Sequence, residues 1–102
     1  VKKTVISAAA DSNPIDTSQN SQMYYTYVLK SKKDNKLYIG QTSNLLRRII
    51  DHNLGLVKST KHRKPLYKVY HETFNTRSEA MKREKFLKTG IGREFLNSVI
   101  NP

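Results

Sequence analysis

The segment KLYIGQTSNLLRRIIDHN, residues 36–53, passes from a strand pattern to a helix pattern within a few residues. Residues 37–40 are apolar and aromatic up to a glycine, which is typical of a strand that ends in a turn. Residues 42–53 carry apolar side chains at helical spacing. Arg48 and His52 are four residues apart, so they project side by side from that helix. They are a candidate phosphate-binding pair, and a solvated helix edge is the alternative that the spacing alone favours.

A helical wheel separates the two neighbouring arginines of this helix. At about 100° per residue, one arc holds the aliphatic side chains of Leu45, Leu46, Ile49 and Ile50. Arg48 and His52 lie on one edge of that arc, so we expect Arg48 to border the packed face and to line a cleft. Arg47 points away from the arc and is expected in solvent. Thr42 or Ser43 is the expected N-cap of the helix.

Similar patterns continue along the chain. One β-rich segment precedes the polar turn before residue 37, and another follows a basic loop. Thr76-x-x-Glu79 matches a capping box, and Gly90 is the expected stop of that helix. The predicted elements are strands over 23–31, 37–40 and 66–74 and helices within 42–53, 76–90 and 92–100. This β-β-α-β-α-α order predicts an α+β fold, with a small, mostly antiparallel three-stranded sheet flanked by helices.

The chain is short, basic and free of cysteine. Its 102 residues suit one domain with one modest core. Lys and Arg number 19 against 8 Asp and Glu, and the net charge of +11 indicates a polyanionic partner such as nucleic acid. The absence of cysteine excludes disulfides, thiolate zinc sites and cysteine nucleophiles. No apolar run approaches the roughly 20 residues that span a bilayer, so a membrane is not an expected partner. A small-molecule cofactor is not an expected partner either.

Residues 1–22 differ in composition from the rest of the chain. They are rich in Ser, Asn, Asp, Gln and Ala, they contain no aromatic residue, and their charges cancel. Residues 23–102 therefore carry the whole net charge. We predict a flexible leader or linker over 1–22 and a single domain over 23–102.

Glu84 is an unusual residue in the predicted second helix. The apolar arc of that helix is formed by Ala80, Met81 and Leu87, and Glu84 falls inside it. A carboxylate at such a position needs a cation or hydrogen bonds. One interpretation is a structural salt bridge with a nearby Lys or Arg. The other is a ligand for a hard divalent ion such as Mg²⁺, which often takes only one or two protein carboxylates.

Tyr27 and Tyr38 lie on the two strands of the predicted hairpin. They are either packing residues or hydroxyls that orient or deprotonate water. The second role requires neighbouring cations to lower a tyrosine pKa that is normally near 10.

The loop that precedes the third strand concentrates positive charge. Its candidate nucleic-acid contacts are Lys58, Lys61, Arg63 and Lys64. Such a patch contacts backbone phosphates rather than reading bases. A solvated charge run is the alternative interpretation.

Taken together, residues 23–95 resemble the GIY-YIG nuclease domain, and in particular its small single-domain members related to the N-terminal nuclease of the UvrC repair protein. The second half of the name motif is intact as Tyr38-Ile39-Gly40. The first half departs from it, because Tyr25-Thr26-Tyr27 stands where Gly-Ile-Tyr would be and only the tyrosine is retained. The family's arginine and histidine, one turn apart, correspond to Arg48 and His52. Its glutamate on a downstream helix corresponds to Glu84.

The resemblance implies an endonuclease that hydrolyses a phosphodiester bond in nucleic acid, with DNA the expected substrate and repair or recombination the expected setting. Glu84 would hold Mg²⁺ or Mn²⁺. Arg48 would offset charge in the transition state, and His52 would hold phosphate or help to move a proton. Tyr27 or Tyr38 would act on the attacking water, with Tyr27 preferred. Asn97 matches the family's polar residue after the glutamate helix.

Two other classes of protein remain as alternatives. One is a non-catalytic basic module that binds nucleic acid on the same scaffold, and the other is a basic structural protein of a ribosome or nucleoid. Neither accounts for Glu84 in an apolar arc. The oligomeric state is left open by the sequence.

Overall fold

The computed structural model describes residues 22–102 of the chain. Its elements are β1 (Tyr24–Ser31), β2 (Leu37–Thr42), α1 (Leu45–Asn53), β3 (Leu66–Phe74), α2 (Arg77–Leu87) and α3 (Gly90–Ile100). This order confirms the predicted β-β-α-β-α-α arrangement and the α+β class. The predicted leader over 1–22 lies, apart from Gln22, outside the described residues.

β1 is the central strand of an antiparallel sheet with the order β2-β1-β3. Successive side chains of a strand point to opposite faces. The tyrosine and leucine of Tyr27-Val28-Leu29 therefore face one side of the sheet, and the valine faces the other. This alternation divides the protein into two small cores and three layers.

Each face of the sheet is covered by helices. α1 covers the face of Tyr27 and Leu29, where Leu45 and Ile49 pack against these strand residues and Leu66. α2 and α3 cover the other face, with a core formed by Val28, Ile39, Leu87 and Leu96. A hydrogen bond of 2.7 Å from the Thr26 hydroxyl to the Ala80 carbonyl joins β1 to α2. Within residues 22–102, no helix has the length and apolar character that crossing a membrane requires.

Two of the predicted helix boundaries are wrong. Asn44, rather than Thr42 or Ser43, caps α1, because its side chain accepts a hydrogen bond from the Arg47 amide. β2 continues to Thr42 and so occupies the position that the prediction assigned to the cap. Gly90 starts α3 rather than ending α2, since Thr89 supplies a new N-cap directly after α2 ends. The predicted cap at Thr76 is confirmed.

α1 is rotated relative to its aliphatic arc. Leu46 is 72% exposed and Ile50 45% exposed, although both belong to the arc, whereas His52 is fully buried. The buried face therefore runs through Leu45, Ile49 and His52, at i, i+4 and i+7 spacing. Hydrophobicity alone misplaced this face, because the histidine has two hydrogen-bond partners inside the fold. Among residues 22–102, the outer aliphatic residues of α1 are left exposed.

α2 is oriented by a partly buried ion pair that the sequence did not suggest. Arg83 donates two hydrogen bonds, of 2.8 and 3.0 Å, to the carboxylate of Glu72 on β3. Since consecutive helical residues are about 100° apart, Glu84 projects from a different side of α2, away from β3. Met81, which was predicted in the apolar arc, is 48% exposed for the same reason.

Candidate active site

Tyr27 is held at the centre of the sheet by a glycine on the neighbouring strand. Gly40 is the register partner of Tyr27 on β2. A Cβ atom at Gly40 would lie 2.7 Å from the Tyr27 hydroxyl oxygen, which is closer than real Cβ contacts. The glycine of the Tyr38-Ile39-Gly40 motif therefore leaves the space that the Tyr27 hydroxyl occupies.

The Tyr27 hydroxyl meets a buried histidine. Its oxygen lies 2.9 Å from Nε2 of His52, and both residues are almost completely removed from solvent. The other ring nitrogen of His52, Nδ1, lies 2.7 Å from Oγ1 of Thr60, which is fully buried as well. Both nitrogens of the imidazole are thus engaged by hydroxyl groups. A buried ring with both nitrogens engaged is not available to bind phosphate. The geometry is compatible with the other role expected for His52, which is to move a proton.

Burial disfavours the charged form of both Tyr27 and His52, and it shifts the pKa of each residue accordingly. Burial and the positive charge of Arg48 lower the pKa of His52 to about 4, so the imidazole is neutral at pH 7. Burial raises the pKa of Tyr27 to about 12, although Arg48 opposes this shift. The expectation that cations lower a tyrosine pKa is wrong for Tyr27, because desolvation outweighs the guanidinium. Tyr27 therefore needs a proton acceptor, and His52 is beside it.

The burial of neutral His52 makes the stability of the fold depend on pH. The unfolded histidine titrates at its ordinary pKa of 6.5 and the folded one at about 4, so only the unfolded state gains the proton between these values. Stability is therefore complete above pH 6.5 and falls as the pH drops towards 4. We expect the wild type to lose about 2–3 kcal/mol more than His52→Gln between pH 7.5 and pH 4.5.

Urea unfolding at these two pH values measures that difference. Arg48 and Asp51 on α1, together with Tyr27 and Tyr38 on the sheet, surround His52 and are present in both proteins, so the comparison isolates the histidine. Equal losses in the wild type and in His52→Gln would show that the histidine is not buried in its neutral form.

Tyr38 and Arg48 complete the cluster around His52. The Tyr38 ring lies edge-on to the His52 ring at a centroid distance of 4.8 Å and is 6.3 Å from the Tyr27 ring. Tyr38 is half-buried, and so is Arg48. The pKa of Arg48 is raised, chiefly by its polar contact with the Tyr27 hydroxyl. Arg47 points outward, as the wheel predicted, and its side chain forms an ion pair of 3.0 Å with Asp51.

Glu84 lies on α2, which packs on the face of the sheet opposite to α1. Within residues 22–102, no hydrogen bond or ion pair joins its carboxylate to Tyr27, His52 or Arg48. Its charge is the weakest of the influences on the pKa of Tyr27. One of its oxygens, Oε2, accepts a hydrogen bond of 2.7 Å from Lys88. Within residues 22–102, the other oxygen has no protein hydrogen-bond partner. No group of three or more His, Cys, Asp or Glu residues suited to a metal occurs in that range either.

Some of the remaining candidate site residues are exposed, and others are held by contacts within the fold. Lys58, Lys61 and Lys64 are exposed on the loop that carries Thr60. Arg63 is instead tied to the fold, because it forms an ion pair of 2.9 Å with Asp34. Asn97 lines a separate cleft of about 380 Å³ together with Lys30 and Leu37, whose side chain packs on the other face of the sheet.

The sequence analysis did not identify Thr60 or the ion pair between Arg83 and Glu72. Thr60 is eight residues from His52, and neither helical nor strand spacing relates the two positions. A hydroxyl between two lysines gave no signal of burial. The pairing of Glu72 with Arg83 likewise depends on how α2 crosses β3, which a single sequence does not encode as a local pattern.

Comparisons with known proteins identify the family of this chain. A family model described as the GIY-YIG catalytic domain matches residues 23–94. A UPF0213 protein of Staphylococcus haemolyticus is 49% identical over 77 residues, which cover 74% of this chain and 93% of the relative. A UPF0213 protein of Listeria monocytogenes is 46% identical over 66 residues, covering 64% of this chain and 72% of the relative.

A solved structure is also similar to this chain. It is the solution NMR structure of a UPF0213 protein from Bacillus halodurans, with 34% identity, a TM-score of 0.48, and coverage of 76% of this chain and 84% of that one. The match of the family model extends over most of the chain and includes Tyr27, the glycine beside it, His52 and Glu84. The chain therefore belongs to the GIY-YIG catalytic domain family.

Proposed function

We propose that this protein is a metal-dependent endonuclease that hydrolyses phosphodiester bonds in DNA. The observation that carries the proposal is the buried Tyr27–His52 hydrogen bond with Arg48 beside it. A hydroxyl, a neutral proton acceptor and a permanent cation are brought together there from β1 and α1. A purely structural histidine does not require a cation at its partner hydroxyl, and this cation opposes the protonation of the ring.

Tyr27 and His52 act together to activate water. In the proposed step, the attacking water gives a proton to the Tyr27 oxygen while the Tyr27 hydroxyl gives its own proton to Nε2 of His52. The hydroxide forms a bond to phosphorus, the bond to the leaving oxygen breaks, and His52 ends the step protonated. The pKa of about 12 for Tyr27 is compatible with this relay, because a free tyrosinate does not accumulate.

Arg48 binds the phosphate in this proposal. In the free protein its guanidinium acts electrostatically on the Tyr27 hydroxyl, since the pKa of each group responds to the other, and Arg48 is partly accessible. A phosphodiester offers stronger acceptors than a phenol, and arginine binds them with two parallel hydrogen bonds. When Arg48 turns to the phosphate, a lone pair of the Tyr27 oxygen becomes free for water. The guanidinium then offsets the charge that grows on the phosphate oxygens.

Glu84 fits the binding of one divalent cation. Its carboxylate is 23% exposed and has one oxygen without a protein partner among the described residues. Mg²⁺ and Mn²⁺ accept such a site, since water and phosphate oxygens fill their other positions. A bound ion would supply charge stabilisation at the leaving oxygen. Lys88, which is half-exposed, holds the carboxylate through an i,i+4 pair of the weak surface type.

The exposed lysines supply contacts that do not depend on sequence. Lys58, Lys61 and Lys64 belong to the loop that also carries Thr60, so they lie near the proposed site. Lysine binds backbone phosphates as a point charge and carries no information about bases. We therefore propose low sequence specificity, with discrimination by the shape of the DNA, for example at branches or damaged sites.

A cleavage assay tests the function. We expect the wild type to cut duplex, flapped or branched DNA with Mg²⁺ or Mn²⁺ and to lose this activity in EDTA. Tyr27→Phe keeps the ring but removes the hydroxyl, and it should lower kcat by about 10²- to 10⁴-fold. Tyr38→Phe is the matched control and should have a smaller effect. Binding of all these substrates without cleavage in any metal would refute the enzyme.

The alternative is a non-catalytic nucleic-acid-binding module. The Glu84–Lys88 ion pair favours it, because it supplies a structural partner for the carboxylate. DNA binding that is unchanged by Tyr27→Phe, in a protein that never cuts, would support this alternative.

A further inference from the structure

The loop between α1 and β3 contributes a buried group to the site. Thr60 is fully buried although its neighbours Ser59 and Lys61 are exposed. Its Oγ1 lies 2.7 Å from Nδ1 of His52 and 3.5 Å from the carbonyl oxygen of Val57. A threonine that turns inward between exposed polar residues is held there by these hydrogen bonds.

The groups at both ends determine the direction of the hydrogen bonds that link Tyr27, His52 and Thr60. A buried hydroxyl needs an acceptor for its proton. Among residues 22–102, Nε2 of His52 is the acceptor within hydrogen-bond distance of the buried Tyr27 hydroxyl. Tyr27 must therefore donate to Nε2. A neutral imidazole then carries its proton on Nδ1 and donates it to Thr60, whose hydroxyl donates in turn to the Val57 carbonyl.

We propose that Thr60 is a positioning residue that selects the Nδ1–H tautomer of His52, so that Nε2 stays available as the proton acceptor for Tyr27. This inference rests on the proposed function, because it assigns Thr60 a part in the same proton relay. In the other tautomer, Nε2 carries a proton and cannot accept one. Thr60 also makes the basic loop a part of the active site, since the residue that orients His52 lies between its lysines.

The loop is rigid at the position where Thr60 needs support. The Thr60 amide donates to the Val57 carbonyl at 3.0 Å, and the Arg63 amide donates to the Thr60 carbonyl at 2.8 Å. The Ser31 hydroxyl donates to the Arg63 carbonyl at 2.6 Å and so attaches the loop to β1. The backbone on both sides of Thr60 is thus held to the fold, which keeps its hydroxyl opposite Nδ1.

NMR of the ring nitrogens in ¹⁵N-histidine-labelled protein tests the inference directly. In the wild type at pH 7 we expect a protonated Nδ1 and an unprotonated Nε2 for His52. Thr60→Ser keeps the hydroxyl and should keep this tautomer. Thr60→Val has nearly the same shape without the hydroxyl and should give a mixture of tautomers. A wild-type ring protonated on Nε2 would overturn the inference even if Thr60→Val does not fold.

Kinetics give an independent readout. Thr60→Val should lower kcat by roughly 10- to 100-fold with little change in KM, as is typical when a group that orients a catalytic side chain is removed. Thr60→Ser should restore most of the rate, and Ser59→Ala, on the exposed neighbour, should match the wild type. A Thr60→Val enzyme with the wild-type rate and the wild-type tautomer would refute the role of Thr60.

The two failures are distinguishable. If the wild type cuts no DNA but the tautomer follows Thr60 as expected, the proposed nuclease function fails and the positioning role of Thr60 stands. If the wild type cuts DNA and Thr60→Val leaves both the rate and the tautomer unchanged, the inference fails while the function stands.

Discussion

Arg48→Ala is expected to lower kcat/KM for DNA cleavage by roughly 10²- to 10³-fold, which is the usual effect of removing one preorganised donor from a charge-developing transition state. Its guanidinium is a permanent cation whose charge acts on the Tyr27 hydroxyl. The alanine variant loses the group proposed to hold the phosphate. Single-turnover cleavage with saturating enzyme measures the chemical step apart from binding.

Arg47→Ala is the matched control for this experiment. Arg47 has the same charge and the same helix, but it points to solvent and pairs with Asp51. Both variants remove one positive charge, so we expect similar losses of general DNA affinity, and we expect the rate of Arg47→Ala to stay within a few-fold of the wild type. Equal losses in the two variants would mean that Arg48 acts only through general charge, and the proposed site would lose its phosphate ligand.

Glu84→Gln is expected to reduce cleavage to the level measured in EDTA. The amide has the shape of the carboxylate but lacks the negative charge that a hard divalent ion requires. A metal ion supplies several kcal/mol of charge stabilisation, so we expect a loss of roughly 10²- to 10⁴-fold. Titration of activity with Mn²⁺ should show no saturable activation in the variant.

Lys88→Met separates the metal from the ion pair. This variant removes the present partner of Glu84 but keeps the carboxylate, so it should keep or improve activation by metal. Exposed i,i+4 pairs contribute only about 0.3–0.5 kcal/mol, so both variants should remain folded. A Glu84→Gln enzyme that is still activated by metal, or a Lys88→Met enzyme as inactive as Glu84→Gln, would assign Glu84 a structural role.

Several residues of the candidate site can be identified from local sequence patterns. The Tyr-Ile-Gly motif, the i,i+4 pair on α1 and the carboxylate on α2 are each visible in a short segment. Their order along the chain was enough to recognise the family. The wheel also distinguished Arg48 from Arg47 correctly, because both lie on one regular helix whose geometry is known in advance.

The same reasoning failed where side chains compete for the interior. Leu46 and Ile50 are more hydrophobic than His52, yet they are exposed and the histidine is buried. Hydroxyls of two other segments compensate the imidazole for its loss of water, whereas the part of the chain that the structure describes leaves Leu46 exposed. The pKa of Tyr27 is raised rather than lowered for a related reason, because burial outweighs the nearby cation.

The sequence by itself determined the order of the elements, the family and the residue types available for the chemistry, because these depend on periodicity and on motifs within single segments. Only the tertiary structure decided that the hydroxyls of Tyr27 and Thr60 lie against the two ring nitrogens of His52 and that Glu84 is paired with Lys88. The physical reason is that hydrogen bonding and desolvation depend on distances between segments far apart in the chain. Those distances exist only after the sheet and its helices have packed.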